Sequence, residues 1–247
     1  MKKIFTRLTL LTAIAFVFSH CKKTAQFNSE PLEDYLQLQV GKYIIYRLDS
    51  MKFVNLDTVK ASYQAKDEID AAITDNLGRP SWRVVRYLRD VAGTQPWMED
   101  LTYYITPTNE SLEVIENNFR YLKLKLPINE GFNWKGNTYI SLYSSDPDWD
   151  YRFLDDWDYM YESLGEDFTT LMGSVPNTIT VNQRDEVLGF PNDPQGYSER
   201  NFAYEVYGKG IGLIYKEFLH SQYQPVSGGN PAYRQGFGIK LNMLSHN

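Results

Sequence analysis

From residue 36 to the C-terminus, apolar residues recur in short runs of period two, each broken by a turn signal, and no stretch carries a long helical period. Residues 119–126 show the pattern most clearly. Arg120, Leu122, Leu124 and Leu126 point one way, and Phe119, Tyr121, Lys123 and Lys125 point the other. Pro127 and Gly131 stop this strand. Short alternating strands joined by turns bury their apolar side only by pairing with one another. The predicted fold class is therefore mainly β: a single curved antiparallel sheet, or a partly open barrel or sandwich, with few short helices.

Other segments repeat the pattern. Residues 43–48 read as a strand. Residues 58–73 and 82–89 read as two arms of a hairpin turned at residues 75–80, where Gly78 can take positive φ. A helix over residues 65–73 is the competing reading there. Residues 138–143 and 175–181 are further strand candidates. Residues 202–207 and 211–218 form a hairpin joined at Gly208, Lys209 and Gly210, and residues 235–241 close the sheet.

The last hairpin carries a resemblance. The run from Tyr207 to Glu217, with Gly208, Gly210, Ile211, Gly212, Leu213 and Ile214, resembles a strand pair near the end of an uncharacterised envelope lipoprotein family of the Bacteroidota. The segment from Asp75 to Arg89 is similar to that family as well. The resemblance touches roughly residues 40–247 and is specific in those two hairpins. It implies a curved antiparallel sheet and no known activity.

The N-terminus has the three parts of a signal peptide. Lys2, Lys3 and Arg7 precede an apolar run from Leu8 to Phe18, and Ser19, His20 and Cys21 close the segment. The run is too short for a comfortable permanent span. Cys21, the only cysteine, stands where a thiol would take lipid before cleavage. His20 replaces the usual small residue before it, yet Cys-Lys-Lys after an apolar run resembles many lipoproteins of the Bacteroidota. The expected organisation is a lipoprotein signal peptide over 1–20, a tether over 21–35 and one β-rich domain over 36–247. The expected location is the outer membrane, lipid-anchored and facing the periplasm, because Lys22 and Lys23 do not fit an acidic surface-export signal.

Removing residues 1–20 takes away three cations and no acid, so the formal net charge of −6 becomes −9. An acidic domain is a poor partner for nucleic acid. With Cys21 modified no cysteine remains, and the mature part holds only His220 and His246, which excludes disulfides and multi-histidine metal sites within one chain. No cofactor is expected.

Three clusters could carry a site. Asp146, Asp148 and Asp150 have a spacing that could supply calcium oxygens, but Tyr151 and Trp157 stand where an EF-hand loop needs glycine and a carboxylate. The plain alternative is a solvated acidic loop. Aromatic residues make up 15% of the chain and gather in its middle third. Trp134, Trp149, Tyr151, Trp157 and Tyr159 are the ligand-binding candidates, since flat faces beside carboxylates suit sugars, although a β core uses the same residues. Arg79, Arg83, Arg86 and Arg89 concentrate positive charge. On a strand Arg83 and Arg89 share one face and Arg86 takes the other, so pairing with Asp67, Glu68 and Asp70 is expected rather than an anion patch. Glu217 and His220 lie three apart on a strand and so face opposite sides. The glycines at 208, 210 and 212 lie in a hairpin and make no phosphate loop.

These features point to a non-enzymatic envelope protein held to the membrane by its N-terminal lipid. It would bind a carbohydrate or lipid ligand, or an envelope protein. The alternatives are a glycan hydrolase using carboxylates of residues 146–167, or a structural subunit of an outer-membrane assembly.

Overall fold

The computed structural model describes residues 29–141 and 149–247. Cys21, Asp146 and Asp148 lie outside the described residues, as does the side chain of Trp149. The described residues form twelve strands: β1 (Tyr43–Val54), β2 (Asp57–Thr74), β3 (Pro80–Asp90), β4 (Met98–Pro107), β5 (Ser111–Glu116), β6 (Phe119–Lys125), β7 (Asn133–Lys135), β8 (Asp158–Thr170), β9 (Gly173–Gly189), β10 (Ser198–Gly208), β11 (Gly212–Gln224) and β12 (Tyr233–His246). They make one antiparallel sheet in the order β6-β5-β4-β3-β2-β1-β12-β11-β10-β9-β8-β7, nearly closed into a barrel. Every strand pairs with its sequence neighbour except at two places, the β1–β12 junction and the seam between β6 and β7.

The seam is held by few groups. The Leu122 amide donates to the Gly136 carbonyl at 2.7 Å, and the Trp134 indole donates to the Leu122 carbonyl at 2.7 Å. The Tyr161 hydroxyl donates to the Lys125 carbonyl and accepts from the Lys125 amide, both at 2.8 Å, and so replaces two rungs of a ladder. Gly136 permits this approach, since a Cβ there would lie 2.4 Å from the Tyr159 ring.

Local turn chemistry explains the hairpins. Asp75 Oδ1 accepts from the amides of Leu77 and Arg79, and Gly78 takes φ +77°. Asn117 and Asn118, at φ 53° and 65°, make the two-residue turn between β5 and β6. Residues 65–73 lie within β2, so the competing helix does not form. The strand expected over 138–143 does not form in its described part. Residues 138–141 make a turn and irregular chain, because buried Asn137 anchors them with its amide donating to the Leu154 carbonyl and its oxygen accepting from Tyr159.

Two short 3-10 turns cover the barrel. Residues 30–35, assigned to the tether on sequence grounds, are packed: the turn Leu32–Tyr35 buries Leu32 and Tyr35, and Glu30 bridges to Ile128. The Gly210 amide and the Lys209 ammonium both bond Asp34, at 2.6 and 3.0 Å. The second turn, Trp149–Leu154, buries Phe153 and Leu154. Bulges on β8 bend the β8–β9 hairpin over the outside of the sheet. There Phe168 packs on Tyr215, and the Met172 amide takes the Met243 carbonyl, beyond the point where β11 and β12 pair.

Candidate functional site

The inner face of the barrel is polar at its centre. Asp67 on β2 and Arg86 on β3 are direct cross-strand partners. Arg86 Nε and Nη2 each donate to one Asp67 oxygen at 2.6 Å, and the Tyr103 hydroxyl donates to Asp67 Oδ2 at 3.0 Å. Glu205 on β10 lies opposite Lys216 on β11. Its Oε1 accepts from Lys123 Nζ at 2.7 Å, and its Oε2 accepts from the Tyr207 hydroxyl at 2.8 Å. Lys216 Nζ lies 3.4 Å from Glu116 and 3.9 Å from Glu205. Three cations thus meet three carboxylates across five strands and the β6 edge, with no excess of either sign.

Burial raises the stakes of this pairing, because a charge removed from water is tolerated only with partners. Lys216, with help from Arg86 and Lys123, overcomes the desolvation of Glu116 and holds its carboxyl at about 2. Burial pushes the Glu205 carboxyl up, but Lys123 and Lys216 together outweigh it and leave the group below the ordinary carboxylate range. Desolvation raises the Tyr103, Tyr159 and Tyr207 hydroxyls, which stay protonated donors.

Two chambers meet at this network and share Glu116, Lys123 and Lys216. The charged chamber, about 120 Å³, is lined by Asp67, Arg86 and Glu205 and by apolar side chains including Ile44, Ile69, Val84, Ile105, Leu112 and Leu213. Tyr35 and Leu36 of the N-terminal segment border it. The aromatic chamber, about 100 Å³, is walled by Phe119, Tyr121, Tyr151, Phe153, Trp157, Tyr159, Phe218 and Phe237. Both volumes approach that of an engineered apolar cavity of about 150 Å³ that takes benzene.

Two of these polar groups come from irregular positions. Lys123 is the extra residue of a bulge in β6, between the pairs Leu112–Leu124 and Glu113–Leu122. Gln183 is the extra residue of a bulge in β9, between Arg184–Ala203 and Asn182–Tyr204. Both of these residues line the aromatic chamber. Gln183 is buried, and its Nε2 has no hydrogen-bond partner.

The aromatic candidates divide. Tyr151, Trp157 and Tyr159 line the aromatic chamber. Trp134 stands behind them, packed on Tyr159 and Tyr161 with centroids at 5.8 and 4.6 Å. The polar handles of Trp134, Trp157 and Tyr159 are all taken inside the protein, by Leu122, Phe153 and Asn137. Asp150 is exposed at the start of the second 3-10 turn. Among the described residues no group of three His, Cys, Asp or Glu side chains could hold a metal ion. The described carboxylates of residues 150–167 line neither chamber, and Lys135 bridges Asp156 and Asp158 at 2.9 and 3.0 Å.

The arginines are paired. Arg79 joins Asp75 and Glu113, Arg83 joins Asp70, Arg86 joins Asp67, and Arg89 bonds Gln64 while lying 4.1 Å from the Trp97 ring. Glu217 and His220 do not meet: Glu217 accepts from Tyr215, whereas buried His220 stacks on Phe153 at 3.6 Å and bonds Asn201 at 2.7 Å. Burial, with Arg152 adding to it and Glu199 opposing, lowers the His220 imidazole to about 4.

No protein-family model matches the chain, and no curated protein is detectably similar to it.

Proposed function

We propose that this is a cell-envelope protein, held by lipid on Cys21 to the periplasmic side of an outer membrane, whose barrel binds a small ligand in its lumen. The observation that carries the reading is the pair of chambers around a charge-balanced, buried cluster. Structural barrels of this kind fill their interiors with side chains, whereas binding barrels keep a lumen of mostly apolar wall and a few placed polar groups. Ordering three buried ion pairs is a costly way to stabilise a sheet, since an apolar filling of the same volume is often at least as stable. A recognition role accounts for them. The likeness to envelope lipoproteins of the Bacteroidota agrees with the location.

Native mass spectrometry of the Cys21→Ser protein, purified gently from its own envelope, tests this. A stoichiometric small-molecule adduct is expected. A bare protein mass, or copurification with a protein partner alone, would overturn the reading in favour of an assembly role.

A further inference from the structure

The aromatic chamber contains a buried donor with nothing to bond. Gln183 is 3% exposed, and its Nε2 meets no acceptor, although burying an unmet amide is costly. Gln183 follows the buried Ile179 and Val181 in period two along β9 and lines the chamber. Lys216 borders the same space with its ammonium held loosely, at 3.4 and 3.9 Å from its two carboxylates, so part of its donor capacity is also unused. Asn137, the other buried amide there, is satisfied on both ends.

The chamber therefore offers donors in a setting of rings. Phe218 stacks on Trp157 and Phe237, with centroids at 6.1 and 5.2 Å, and Phe119 and Phe153 close the sides. A hexose would bring hydroxyls on every side to a chamber whose apolar walls are mostly ring faces. A cation would meet Lys123 and Lys216 against the one carboxylate of Glu116, and an anion would unbalance the cluster of three cations and three carboxylates.

We propose that the aromatic chamber binds an uncharged molecule with one flat ring and a carbonyl-type oxygen, the ring lying among Trp157, Phe218 and Phe237 and the oxygen accepting from Gln183 Nε2, with Lys216 as second donor. This rests on the lumen being a binding site, as argued above, and names the chemistry of its ligand.

The test is an NMR titration of the Cys21→Ser protein, following the Trp157 indole N–H, with acetophenone, benzoate, benzylammonium and cyclohexyl methyl ketone as probes. Acetophenone should give a saturable shift and bind more tightly than the other three. Gln183→Leu should weaken it by about five- to tenfold, the size of one hydrogen bond, while melting no lower than the parent because an unmet buried amide is gone. Equal acetophenone affinity in parent and variant, tighter binding of benzylammonium or benzoate, or no saturable shift would each overturn the assignment. An adduct on envelope-purified protein would in those cases leave the lumen reading standing, so the two failures are distinct.

Discussion

Two arginine–aspartate pairs on the same two strands occupy opposite sides of the sheet, the inner one in direct register and the outer one with its aspartate at a bulge. Arg86 and Asp67 face the lumen with side chains 7% and 5% exposed, whereas Arg83 and Asp70 face solvent at 44% and 25%. Both are bidentate, with shortest contacts of 2.6 and 2.5 Å. The outer pair is screened by water and salt and contributes little. The inner pair has no alternative partner in solvent, so each member depends on the other. The same chemistry is therefore decoration on one face and structure on the other, and what separates them is the curvature that makes one face a lumen.

The largest expected effect follows directly. Arg86→Leu should destabilise the protein by about 3–5 kcal/mol in urea unfolding, because Asp67 remains buried without its cation. The double variant Asp67→Leu, Arg86→Leu should recover most of that loss. If the single variant melts like the parent, the inner pair is not buried in solution and the contrast collapses.

Acid sharpens the comparison next. His220 titrates at about 4 in the folded chain against 6.5 when unfolded, so below 6.5 the unfolded state binds the proton that the folded state refuses. Stability is fully present above pH 6.5 and falls as pH drops towards 4, by on the order of 3 kcal/mol. Glu116, at about 2 against 4.5, extends the loss below pH 4.5. In a series of thermal melts, His220→Gln should flatten the upper window and leave the lower one. An unchanged slope between pH 6.5 and 4 would show that His220 is not desolvated.

Tyr161→Phe tests whether the seam keeps the inner face inside. It removes two hydrogen bonds to Lys125 and should cost about 1–2 kcal/mol, with faster amide exchange at Leu122 and Lys125. Slow exchange there in the variant would place closure elsewhere. The smallest effect belongs to the outer pair: Arg83→Ala should change stability by less than about 1 kcal/mol, and less still at high salt.

The comparison also explains what was legible in the sequence. The hairpins at residues 75–80 and 208–210 were readable because glycine and Asx turn chemistry is local. Period two pointed to pairing of the arginines with the acids of the preceding arm, but not to the partners: Arg83 opposes Ala71 and reaches Asp70 at a bulge, and Glu68 pairs with Lys66 instead. That alternation separates two faces but does not say which becomes the lumen, so Phe119, Tyr121 and Lys123 gave no sign of pointing inward. Lys123 and Gln183 keep the phase of Phe119 and Tyr121 and of Ile179 and Val181, but a polar side chain in that phase gives no sign of burial. The Asn117–Asn118 turn carried a usable signal for the β5–β6 hairpin. Of the aromatic candidates, composition found Tyr151, Trp157 and Tyr159 beside the chamber, but not Phe218 and Phe237, which arrive from the far end of the chain.

The central claim is that the lumen is a binding site built around paired charges. A crystal structure of the Cys21→Ser protein isolated from its own envelope tests it most directly. We predict non-protein density in the lumen, within hydrogen-bonding distance of Gln183 Nε2 or Lys216 Nζ. A lumen closed by side chains, with Gln183 Nε2 bonded to the protein itself, would contradict the account.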